Sequence, residues 1–223
     1  MAEDTFIREV DEQMRQDRAQ EFWAKYGKVI IALAVLVVLA TAAMTAWKYY
    51  KDTEAASFGD QYMKAIALSN EGKHNEAIAA LGAIGENGSG QYPALARMRI
   101  ASETAASGDK AAALAEFDAI SKDAGFSEVF QQIATLRGGL LAVDLEDYAS
   151  VEARLSALAA AGGAFRHSSR EALGIAAMKA ANNEKALEWF SAITNDANSA
   201  QGVKSRAQLM LNILAGKGVK ADG

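Results

Sequence analysis

The side chains that could do chemistry are few, and they are scattered. Two histidines, His74 and His167, stand 93 residues apart in a chain of 223 with no cysteine. Protein metal sites gather His, Cys and carboxylates at short spacings, so this pair does not read as one. Gly82, Gly85, Gly88 and Gly90 have the density of a phosphate-binding loop. Such a loop follows a strand and ends in Gly-Lys-Ser/Thr, and neither context is present, so the glycines read as a flexible linker. Carboxylates fall in charged faces and turns without the pattern of an acid–base pair. The sequon Asn87-Gly88-Ser89 is short enough to arise by chance. The reading is therefore of a non-enzyme that uses no cofactor and no metal, acting through its surfaces.

Those surfaces are not built for nucleic acid. Twenty-three basic and 28 acidic residues give a net charge of −5, without the clustered Lys and Arg that neutralise phosphates. Alanine is abundant and proline occurs once, at Pro93, which points to an all-helical chain.

The element that must position everything else is Val29 to Trp47, a run of 19 uncharged residues between Lys28 and Lys48. As a helix it would be about 28 Å long, close to the roughly 30 Å hydrocarbon core of a bilayer. A soluble core helix would carry a polar face, and this run has none. Ala40-Thr41-Ala42 resembles a signal-peptide cleavage site. The long acidic segment before the run, and its continuation to Trp47, favour an uncleaved anchor surrounded by lipid. Trp23 and Tyr26 before the run, with Trp47, Tyr49 and Tyr50 at its far end, suit the headgroup regions. Arg15, Arg18, Lys25 and Lys28 precede the run and Lys48 and Lys51 follow it, which favours a cytoplasmic N-terminus and, in a bacterium, a periplasmic C-terminal part. The expected segments are residues 1–28, 29–47 and 48–223. Within the first, Phe6, Val10 and Met14 can form an amphipathic helix that lies on the membrane, meets a partner or stays solvated.

Beyond the run, one pattern recurs four times, with a small residue followed by large apolar ones four and then three residues later. The instances are Ala77/Leu81/Ile84, Ala113/Phe117/Ile120, Val151/Leu155/Leu158 and Ala186/Phe190/Ile193, whose first members are 36, 38 and 35 residues apart. This spacing puts each set on one helical face. Twelve residues before each first member stands another small residue, Ala65, Ala101, Gly139 and Gly174, where a second helix can approach closely. Turn-forming breaks separate the two stretches of each unit, so the units read as helical hairpins of about 35 residues. Pro93 suits the first turn of the helix that follows the glycine-containing linker. A last apolar helix, about Ala200 to Leu214, would cover the open end of the stack.

These units resemble a tetratricopeptide repeat array, whose second helix carries Ala-x3-Phe. Ala113-x3-Phe117 and Ala186-x3-Phe190 match fully, and the other two by class. The first-helix tryptophan and the closing proline of that repeat are missing from all four units. The resemblance implies a solenoid whose first helices line a concave groove, with Tyr62, Ile66, Leu95, Met98, Leu136, Leu140, Val143, Ile175 and Met178 facing a partner. The same residues could instead pack between helices, as apolar residues at helical spacing commonly do.

The whole chain resembles a bacterial family. Phe6-Ile7-Arg8-Glu9-Val10-Asp11-Glu12, then Phe22-Trp23-Ala24-Lys25-Tyr26-Gly27 leading into the run, then Trp47-Lys48-Tyr49-Tyr50 and divergent repeats are similar to the ancillary SecYEG translocon subunits. That resemblance implies a single-pass inner-membrane protein with a periplasmic repeat domain. It implies the Sec translocon, exported proteins and periplasmic chaperones as partners. A scaffold for envelope assembly or cell division, and a regulator acting through the cytoplasmic segment, are the alternatives.

Overall fold

The computed structural model describes the backbone of residues 2–218 and the side chains of Met14 and residues 20–218. The faces expected of Phe6 and Val10, and the side chains of Arg15 and Arg18, lie outside the described residues. Met14 is exposed.

Nine α-helices and no strand are present among the described residues. They are α1 (Ala2–Asn70), α2 (His74–Asn87), α3 (Tyr92–Ala106), α4 (Lys110–Lys122), α5 (Glu128–Leu145), α6 (Tyr148–Ala159), α7 (Arg166–Lys179), α8 (Asn183–Thr194) and α9 (Gln201–Gly216). The chain divides into two compact units, Met1–Ala56 and Ser57–Gly223.

In the first unit, every residue from Val29 to Trp47 is exposed. Trp23, Tyr26, Tyr49 and Tyr50 are exposed as well. The helix is long and apolar enough to cross a membrane. Its two internal threonines bond back to the preceding turn, Thr41 Oγ1 donating to the Val37 carbonyl and Thr45 Oγ1 to the Thr41 carbonyl, each at 2.8 Å. No hydroxyl on this stretch is thus left seeking water, which suits hydrocarbon surroundings.

The second unit is built from the four expected hairpins. Their second helices are α2, α4, α6 and α8, and their first helices are the end of α1, α3, α5 and α7. The four-then-three stripe is buried in every hairpin, except that Leu158 is half-buried and its neighbour Ala159 takes the inner position. Four core clusters result, and each joins one hairpin to the helix after it. Ala65, Leu81 and Ile84 meet Ala96 of α3, and Ala101, Phe117 and Ile120 meet Ala134 of α5. Val151 and Leu155 meet Ala172 and Leu173 of α7. Ala186, Phe190 and Ile193 meet Ala207 and Leu214 of α9. A hairpin cannot bury its stripe alone, so burial requires its neighbour, and α9 serves the last one.

The turns inside hairpins repeat as well. Gly72 and Gly108 have positive φ (75° and 108°), and Ala181 at the equivalent place has φ 56°. The residue just before the second helix caps it in three units, although in the third hairpin it follows Glu146 in extended backbone (φ −122°) rather than a positive-φ residue. The side chains of Asp109, Asp147 and Asn182 accept from the N–H groups of Ala112, Ser150 and Lys185. At the equivalent Lys73, no side-chain cap forms.

The glycine-rich stretch departs from the flexible linker expected of it. Helix α2 continues through Gly82 and Gly85 to Asn87, because Ile84 in the buried stripe holds that turn in the core. Only residues 88–91 connect it to α3, which carries Pro93 in its first turn as expected.

Candidate partner-binding surface

The first helices of the hairpins form a row, and side chains one repeat apart tie each to the next. Ser69 Oγ donates to Glu103 Oε1 at 2.6 Å, joining α1 to α3. Arg137 Nη1 donates to Ser102 Oγ at 2.6 Å, joining α5 to α3. Lys179 Nζ reaches the Val143 carbonyl at 2.6 Å and Asp144 Oδ1 at 3.4 Å, joining α7 to α5. Arg206 grips Glu171 with Nε to Oε1 at 2.6 Å and Nη2 to Oε2 at 2.8 Å, joining α9 to α7. The sequence separations of the four side-chain rungs are 34, 35, 35 and 35, each about the length of one hairpin unit. On the second helices, Arg154 of α6 likewise pairs with Asp118 of α4.

Two carboxylates form hubs that sequence reading placed among ordinary charged faces. Glu103 is only 2 % exposed, and accepts from Ser69, from the His74 ring at 2.7 Å, and lies 2.5 Å from Arg99 Nε. Burial by itself pushes this carboxyl up, but the Ser69 and His74 hydrogen bonds and the Arg99 charge outweigh it and hold it below the ordinary range. Asp196, between α8 and α9, accepts from Arg166 at 2.7 Å, His167 at 3.0 Å, Arg170 at 3.3 Å and the Asn198 N–H at 2.9 Å. The Arg166 bond first, then the Asn198 and His167 bonds, hold its carboxyl far below the ordinary carboxylate range. Both histidines thus sit on carboxylates within separate joints. No group of three or more His, Cys, Asp or Glu that could hold a metal occurs among the described residues.

A family model described as a tetratricopeptide repeat-like domain matches residues 20–216. The chain belongs to this family. No curated protein and no solved structure matches it. The match covers the apolar stretch as well as the hairpins. Domains of this kind are typically non-enzymatic protein-interaction modules.

On the row of this tetratricopeptide repeat-like domain, the sequence-predicted partner residues divide by burial. Met98 and Val143 are core residues, in the clusters around Phe117 and around Leu155 respectively. Tyr62 packs half-buried beside Tyr92, their ring centroids 6.4 Å apart, and Leu136, Ile175 and Met178 are half-buried against the core. Ile66 and Leu95 are also half-buried. Leu140 is 50 % exposed. Val129, on the same face of α5 and absent from the sequence-level set, is exposed too. Its signal was legible, since Val129, Leu136 and Leu140 recur at the seven-then-four spacing of one helical face. The rungs could also have been found by aligning the units, because Asp144 then falls in one column with Lys179 and Glu171 in one column with Arg206.

Proposed function

We propose that the protein is a single-pass membrane adaptor whose tetratricopeptide repeat-like domain receives polypeptide partners on the first-helix row. The observation that carries this reading is the pairing of a helix with 19 consecutive exposed uncharged residues with an interaction domain that leaves Leu140 and Val129 uncovered. An apolar helix surface of that length is stable in lipid and costly in water. On this reading residues 1–28 are cytoplasmic, 29–47 cross the inner membrane and 48–223 lie in the periplasm, and the molecule is not an enzyme.

The finer proposal places the adaptor beside the Sec translocon, where it helps pass exported proteins to periplasmic chaperones. It rests on the resemblance of residues 6–12, 22–27 and 47–50 to the ancillary translocon subunits. Tethering also supports it, since a domain fixed beside its source of ligand works at a high effective concentration. Photo-crosslinkers placed at Val38 in the span and at Leu140 on the row test it in intact membranes. Translocon adducts from the span and exported-chain or chaperone adducts from the row are expected, and their absence sinks the assignment.

A further inference from the structure

Among the four rungs of the first-helix row, the one at Arg137 is electrically incomplete. Asp144 meets Lys179, Glu171 meets Arg206, and the Glu103 charge of the Ser69 rung is answered by Arg99. Arg137 instead donates to the neutral hydroxyl of Ser102, and forms no ion pair among the described residues. Its guanidinium is exposed, and the single bond to Ser102 uses one of its five N–H donors and fixes its place.

Along α5 this cation is flanked by large aliphatic side chains. Leu140 lies one turn further along the same helix, three residues away and half exposed, and Leu136 and Val129 continue the stripe beside it. The carboxylate that α5 itself carries on the face of Arg137, two turns further on, is Asp144, which is held by Lys110 at 3.1 Å and Lys179 at 3.4 Å. The patch therefore presents large aliphatic side chains with one uncompensated, planar donor group at their border.

We infer that this patch selects polypeptide segments in which a carboxylate stands next to large apolar residues. The inference rests on the proposed use of the row as a polypeptide-binding surface, and adds to it a preference set by Arg137. The apolar stripe supplies contact area to any hydrophobic segment. The guanidinium supplies discrimination, because a Glu or Asp completes its hydrogen bonds and a Lys placed there meets like charge.

The test uses the full chain in lipid nanodiscs, with empty nanodiscs as the blank. Three fluorescent Leu/Ala-rich peptides of about a dozen residues differ at one central position, as Glu, Gln or Lys. For the wild type, affinity falls in the order Glu, Gln, Lys, with about threefold between neighbours at low salt, as suits a partly exposed ion pair, and less at high salt. Arg137→Gln removes the order and Arg137→Glu reverses it, while the uncharged Leu140→Ser weakens all three peptides together and keeps their order. Equal binding of the three peptides to the wild type, or an order unchanged in Arg137→Gln, overturns the inference and leaves the surface standing. No binding of any peptide overturns the surface, and the inference with it.

Discussion

A Cβ built on Gly174 of α7 would stand 2.7 Å from Cζ of Phe190 in α8, nearer than side-chain carbons approach. The same intimacy holds between Gly139 and Leu155, so the two later hairpins close on glycine where the two earlier ones close on Ala65 and Ala101. A phenyl ring fully buried in a packed core cannot turn aside cheaply. Gly174→Ala is therefore expected to lose about 1–3 kcal/mol by overpacking, despite alanine's better helix propensity. Urea unfolding checks this, and Phe190→Leu in the same chain should recover part of the loss; additive losses would contradict the contact.

Ala181 has the backbone of its glycine counterparts without their freedom. At φ 56° its Cβ crowds the backbone, whereas Gly72 and Gly108 occupy the equivalent turn without one. Ala181→Gly is expected to stabilise the fold by about 1 kcal/mol. A lowered thermal midpoint for the variant would refute it.

Helix capping offers a comparison within one molecule. Lys73 has φ −85° and ψ 59°, close to the values at Asp109 (−87°, 72°) and Asn182 (−84°, 75°), yet only the latter two bond the following turn. Lys73→Asp should supply the missing cap and add about 0.5–1 kcal/mol, while Asp109→Ala should cost about 1 kcal/mol. Denaturant midpoints of the two variants should move in opposite directions.

Acid stability follows from Glu103 and Asp196, whose carboxyls are both held below their ordinary values in the folded protein. A carboxyl with a depressed folded pKa stabilises the fold above the unfolded-chain value of about 4, and that contribution is lost as pH falls through this value toward the folded one. The thermal midpoint of the wild type should thus fall below about pH 4. Asp196→Asn should lower it at pH 7 and make the acid fall shallower. An acid limb of unchanged steepness in the variant would remove Asp196 from the account.

The absence of cysteine makes the proposed orientation directly readable. With an impermeant maleimide, Ser205→Cys should label in cells whose outer membrane alone is opened, and Thr5→Cys only after the inner membrane is breached. The opposite pattern would invert the topology.

The sequence by itself determined the helices, their pairing and the inward faces. The 19-residue run and the four-then-three stripes express one-dimensional rules, since helical periodicity fixes which side chains share a face and apolar burial fixes which face turns inward. It could not say how far Met98 and Val143 turn into the core, or that Gly82 and Gly85 stay helical under the hold of Ile84. Polar partnership was decided only by the tertiary structure. Glu103 and Asp196 look like any surface carboxylate until stacking brings Ser69, His74 and Arg99 to one, and Arg166, His167 and Arg170 to the other. The reason is geometric: a hydrogen bond needs partners placed within a few tenths of an ångström, and only the packed register of neighbouring hairpins sets that placement. By the same register, Arg137 reaches Ser102 and no carboxylate among the described residues, and so stays available on the row.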